Sequence, residues 1–125
     1  MPKILLVEDD QFIAQLYSEK FSKFHYETEV VRDGFEALEI LKKYKPDLIL
    51  LDIVMPKMDG FEFLAHIKRD DLLKKILVLM FTNLSDKADI EKAKSLGAES
   101  YIIKSHFTPA EVVDRVNILL KRKSH

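Results

Sequence analysis

The order in which apolar patterns follow one another constrains this chain more than any single residue does. Short continuous apolar runs alternate with segments of helical periodicity from end to end. Residues 4–7 (ILLV), 48–51 (LILL) and 76–81 (ILVLMF) are unbroken runs, the pattern of strands covered on both faces. Residues 29–32 hold only a Val-Val pair among polar neighbours and read as a weak edge strand, and residues 101–103 (YII) read as a short last strand. Phe12, Ile13, Leu16, Tyr17, Phe21 and Phe24 recur at helical spacing. Asp33 with Glu36, and Asp59 with Glu62, have the spacing of helix starts; the first of these helices runs through Leu38 and Leu41 until Lys45-Pro46 halts it. Residues 85–96 are helical and closed by Gly97, and Thr108-Pro109-Ala110-Glu111 is a capping box before Val112, Val113, Val116, Leu119 and Leu120. Five strands alternating with five helices predict parallel pairing, right-handed crossovers and a three-layer α/β/α sandwich. At 125 residues, positions 1–125 are expected to form one domain.

Composition narrows the function. The net charge of −1 provides no basic excess to neutralise phosphates, so direct nucleic-acid binding is not expected. There is no cysteine for disulfides or thiol chemistry, and no apolar run approaches the length of a membrane span. Met-Pro-Lys before a short strand does not have the form of a cleavable signal peptide. The expectation is a soluble protein acting in the cytoplasm.

Open parallel sheets bind ligands beyond the carboxyl ends of their strands. The residues leaving those ends here are Glu8-Asp9-Asp10, then Asp52, then Thr82-Asn83, then Lys104. If the first and third strands are neighbours, Glu8, Asp9 and Asp52 crowd together. Two carboxylates about 4 Å apart repel by roughly 4 kcal/mol at an effective dielectric near 20, so the cluster needs a cation. Oxygen ligands with neither cysteine nor paired histidines suit Mg²⁺. A cation, the Lys104 ammonium and the Thr82 hydroxyl around one carboxylate would form a cradle for a phosphoryl group, with Asp52 as nucleophile. Asp10 and Asp59 read as helix caps rather than ligands.

With ILLVEDD, PDLILLDIVMPKMDG, FT and LGAESYIIK in this order, the chain resembles the receiver domain of two-component response regulators along its whole length. The resemblance implies the flavodoxin-like strand order 2-1-3-4-5. It implies Asp52 as phosphoacceptor, Glu8, Asp9 and the Val54 backbone carbonyl as further Mg²⁺ ligands, Lys104 as the phosphate-pairing lysine, Thr82 as the switch hydroxyl and Tyr101 as the switch aromatic. It also implies a sensor histidine kinase or phosphotransfer protein as donor. The chain would then be a switch rather than an enzyme, catalysing only its own phosphoryl transfer and autodephosphorylation. The last two helices and the strand between them would present a changed surface to a downstream protein, with the chain a monomer or weak dimer.

One departure concerns the residue after Lys104, where family members usually carry proline after a cis bond and this chain has Ser105. A cis bond before a non-proline costs about 2.5–4 kcal/mol, so either that cost is absorbed or the loop takes another path; His106 reads as solvated. Val54 and Leu84 stand where some relatives carry polar side chains that orient water, which implies a long-lived phosphoryl group. Competing readings are a phosphorylation-independent binding module and an aspartyl-nucleophile phosphatase or phosphotransferase. The phosphatase reading lacks a second acidic residue at position 54. A nucleotide or flavin binder is a further alternative, and it lacks a glycine-rich loop after the first strand.

Overall fold

A computed structural model describes residues 1–123. In chain order the elements are β1 (Lys3–Val7), α1 (Gln11–Lys23), β2 (Glu27–Val31), α2 (Gly34–Ile40), β3 (Leu48–Leu51), α3 (Gly60–Arg69), β4 (Leu77–Thr82), α4 (Lys87–Ser95), β5 (Ser100–Ile103), a 3₁₀ turn (Lys104–His106) and α5 (Pro109–Lys123). The five strands are parallel in the order β2-β1-β3-β4-β5.

The unbroken apolar runs are explained by layering. Ile4 and Leu6 of β1, with Leu48 and Leu50 of β3, face α1 and α5. Their neighbours Leu5, Val7, Ile49 and Leu51 face α2, α3 and α4. Because strand side chains alternate, a strand between two helical layers has no face for a polar residue. All eight of these side chains are fully buried. The weak strand β2 is an edge strand, and Glu27 and Glu29 remain exposed on it. Registration then sets the strand ends: Val7 pairs with Leu51, so the residues after them leave neighbouring strands at the same level.

The helix starts follow the local signals. Asp10 accepts from the N–H groups of Phe12 and Ile13, Asp33 from Glu36 and Asp59 from Glu62. Thr108 and Glu111 exchange the two bonds of a capping box. Two expectations change. The helix after Asp33 stops at Ile40, several residues before Pro46, and residues 41–43 form turns on the way to β3. In α1 the apolar residues belong to two adjacent stripes, and only one can face the sheet. Ala14, Tyr17 and Phe21 are buried, whereas Phe12, Leu16 and Phe24 are 75%, 38% and 48% exposed.

That division can be measured by denaturant unfolding. Phe21→Ala is expected to cost about 3–5 kcal/mol, as for a buried aromatic in a close-packed core. Phe12→Ala should stay within about 0.5 kcal/mol, as for a surface substitution. Equal losses would mean that α1 is rotated by one stripe.

Candidate functional site

Among the described residues four polar or charged side chains are buried, and three of them, Glu8, Asp52 and Thr82, lie at the carboxyl edge of the sheet. Glu8 follows β1 and Asp52 follows β3, each with its N–H bonded to the neighbouring strand: Glu8 to the Val31 carbonyl at 2.9 Å and Asp52 to the Val7 carbonyl at 3.1 Å. Lys104 reaches in from the end of β5. Its Nζ lies 2.9 Å from Asp52 Oδ2, 2.5 Å from Glu8 Oε1 and 5.1 Å from the centre of the Phe81 ring.

Burial raises the Glu8 carboxyl above its ordinary pKa, and the Lys104 ammonium and Asp10 N–H offset this only in part. Burial would lower Lys104, but Glu8 and Asp52 together outweigh that and leave it raised, so its ammonium persists at neutral pH. Ionised, two carboxylates share one ammonium and leave a net negative charge. Glu8 Oε2 accepts from Asp10 N–H at 3.0 Å, and buried Oε1 is ion-paired to the Lys104 ammonium. A residual negative charge and oxygen donors only fit a hard divalent cation. Asp9 and Val54 lie on the exposed rim, Val54 64% exposed. Among the described residues no three acidic or histidine side chains already converge as a metal cage.

The loop from β3 to α3 presents Asp52. Ile53 N–H donates to Asp52 Oδ1 at 2.7 Å, so each carboxylate oxygen has one donor. Gly60 N–H closes back on the Ile53 carbonyl at 2.8 Å. A Cβ on Gly60 would lie 2.3 Å from the Asp52 carbonyl oxygen and 2.7 Å from Ile53 Cα. Gly60 is therefore a site residue that sequence reasoning missed. Asp59-Gly60 signals a helix start, but the close approach that demands glycine is set by tertiary packing.

Thr82 ends β4 beside Ile103, and its hydroxyl accepts not from the site but from the Leu84 N–H, at 3.3 Å. Tyr101 donates its hydroxyl to the Leu84 carbonyl at 2.7 Å. Burial, with help from Asp89, Asp52 and Asp86, pushes this phenol up to about 12, which keeps it a donor. The connection from β5 to α5 takes a trans path, since no cis bond occurs among the described residues. Residues Lys104–His106 form the 3₁₀ turn, Ser105 N–H donates to Asn83 Oδ1 at 3.0 Å, and His106 is exposed. The structure thus brings together Glu8, Asp52 and Lys104, bonds both Thr82 of β4 and Tyr101 of β5 to the Leu84 backbone, and leaves Asp9 and Val54 at the rim.

A family model described as the response regulator receiver domain matches residues 4–117. The polar-differentiation response regulator DivK of Brucella anthropi is 37% identical over 110 residues, covering 87% of this chain and 89% of DivK. The chain spans about half the length of the transcriptional regulators that it also matches. Among solved structures, the receiver domain of the Francisella response regulator 1452 superposes with a TM-score of 0.90 at 32% identity, covering 98% of this chain and 99% of that one. The Mn(2+)-bound form of response regulator Rcp1 superposes with a TM-score of 0.77 at 33% identity, covering 82% and 80%.

Gly60→Ala is expected to destabilise the fold by more than about 1 kcal/mol, because the added methyl meets rigid backbone rather than a side chain that can move. It should also shift the amide resonances of Asp52 and Ile53. Wild-type stability with unmoved resonances would show that the loop has room for a Cβ.

Proposed function

This chain belongs to the response regulator receiver domain family, and from that premise we propose that residues 1–125 act as a phosphorylation-driven signalling switch with Asp52 as the phosphoacceptor. The observation that carries the proposal is the buried Asp52 carboxylate at the sheet edge, with the Lys104 ammonium 2.9 Å from one oxygen. An Asp52 oxygen attacks the phosphorus of a phosphohistidine on a sensor histidine kinase or phosphotransfer protein. The new P–O bond forms as the P–N bond breaks, and its electron pair stays with the departing imidazole. Lys104 stands ready to pair with the phosphoryl oxygens, since phosphoryl transfer is chiefly positioning and charge neutralisation.

Glu8, Asp9, Asp52 and the Val54 backbone carbonyl would hold Mg²⁺. A bound divalent ion supplies positive charge against the phosphoryl oxygens. Two carboxylates, Glu8 and Asp52, around the single Lys104 ammonium support this ligand set, as does the Mn(2+)-bound form of the relative Rcp1. The chain catalyses only its own phosphoryl transfer and autodephosphorylation. Apolar Val54 and Leu84 beside the site do not orient attacking water, which favours slow loss of the phosphoryl group.

The switch runs through Thr82. A phosphoryl oxygen draws its hydroxyl by a charge-assisted hydrogen bond, away from the Leu84 N–H that it now accepts. Leu84 also receives the Tyr101 hydroxyl, so the loop and the aromatic move together. Helix α4 follows because it is lightly held: only Ala93 is buried, and its N-cap, Asp86, makes no side-chain cap bond. The altered surface of α4, β5 and α5 is what a downstream protein reads. The low net charge argues against direct contact with nucleic acid. No helix among the described residues is long and apolar enough to cross a membrane. Action in the cytoplasm, as a monomer or weak dimer, belongs to the same proposal.

Acetyl phosphate with Mg²⁺ is expected to add one phosphoryl group to the intact mass. The gain should vanish without Mg²⁺ and in Asp52→Asn. A phosphoryl group still gained by Asp52→Asn would sink the assignment. No gain in the wild type, with the fold intact, would leave a phosphorylation-independent binding module.

Thr82→Ala should still accept the phosphoryl group but lose the phosphorylation-dependent change in amide exchange across α4. An unchanged exchange response in that variant would place the coupling elsewhere.

A further inference from the structure

Lys104 serves two carboxylates at once, yet the turn that carries it supports itself poorly. Its closing bond, from Phe107 N–H to the Lys104 carbonyl, is 3.5 Å long, at the outer limit of a hydrogen bond. The turn is therefore held from outside, at two points. On the α5 side, the Arg115 guanidinium stands 5.3 Å over the Phe107 ring while its Nη1 reaches Ser100 Oγ at 3.0 Å. On the other side, Ser105 N–H donates to Asn83 Oδ1 at 3.0 Å.

The second tie is the more consequential. A backbone N–H can only donate, so the side-chain carbonyl of Asn83, rather than its NH₂, must face Ser105. The bonded amide belongs to the peptide plane that joins Lys104 to Ser105. Holding that plane constrains the direction in which the Lys104 side chain leaves the backbone. Asn83 is itself the residue after Thr82, at the end of β4. One hydrogen bond thus joins the loop that carries the hydroxyl to the loop that carries the lysine.

We propose that Asn83 is a positioning residue for phosphoryl transfer, its Oδ1 holding the trans Lys104-Ser105 turn so that Lys104 Nζ stays on Asp52 and Glu8. This rests on the reading of Asp52 as phosphoacceptor and Lys104 as its partner. Asn83 touches neither carboxylate, and its effect passes entirely through Lys104. The same bond gives the Thr82 loop a mechanical hold on the lysine, so a shift of the β4–α4 loop reaches the β5–α5 loop without passing through the core.

The test is the rate of Asp52 phosphorylation by acetyl phosphate and Mg²⁺, followed by intact mass, with the Ser105 amide monitored by hydrogen exchange. Both residues are exposed, so Asn83→Ala should fold normally. Asn83→Ala is expected to lose the protection of the Ser105 amide and to slow phosphorylation by about two- to tenfold, the worth of one ordinary hydrogen bond expressed as a rate. Asn83→Asp keeps the acceptor and should recover most of both. In a Lys104→Ala background, Asn83→Ala should add no further slowing, an outcome that general loosening of the loop would not produce. If Asn83→Ala reacts at the wild-type rate while Lys104→Ala is slow, the positioning role is wrong and the assignment of Lys104 survives. Equal slowing by Asn83→Ala with and without Lys104 also overturns the role. Wild-type kinetics in Lys104→Ala itself removes the reading on which the role depends.

Discussion

One ammonium between two buried carboxylates governs the carboxyl edge of this sheet. Lys104 is 14% exposed at its side chain, Glu8 1% and Asp52 10%. Charges so far from water are stable only when paired, and even then the desolvation cost takes back much of the Coulomb attraction. The arrangement therefore does not chiefly stabilise the fold. It keeps a concentrated, incompletely neutralised negative charge at one place, which is the condition for capturing a cation and, through it, an anionic group. The parallel register of β1 and β3 creates this condition, because strands that end level must release their first polar residues side by side.

The rigid and the compliant parts of the molecule are divided by layer. On one face α1 and α5 are locked to the sheet by Tyr17, Phe21, Val112, Val113 and Val116, with a Tyr26–Asn117 hydrogen bond tying the α1–β2 connection to α5. On the other face α3 buries Phe63, Leu64 and Ile67, whereas α4 buries Ala93 alone. Partly buried Leu96 packs at its C-terminal end, and the exposed Lys92 ammonium, 4.4 Å from the centre of the Phe61 ring, gives up little when it leaves such a position. A displacement imposed at the sheet edge thus meets least resistance in one direction.

What could be read from the sequence was what local physics decides. The buried strands, the caps at Asp10, Asp33 and Asp59 and the box at Thr108–Glu111 depend on residues within one turn or one strand, and the folded chain has them. The four strand ends with their polar residues were legible for the same reason. What escaped was decided by contacts distant in sequence. Periodicity could not choose between the Phe12–Leu16 stripe and the Tyr17–Phe21 stripe, since both are apolar and helically spaced. It could not show that Glu8 turns inward while adjacent Asp9 stays outside. The need for glycine at position 60 arises from the Asp52 carbonyl eight residues away in sequence. The bond between Asn83 and Ser105 spans 22 residues and leaves no local pattern at all.

The edge strand β2 has a further consequence. Its outer side offers unpaired backbone groups to any other strand, and such edges are where folded proteins recruit one another into extended sheets. Exposed Glu27 and Glu29 lie on this strand, so a second copy docking edge to edge would bring four carboxylates into repulsive proximity. The weakness of β2 as a hydrophobic strand is thus also a safeguard against pairing with a second copy along this edge.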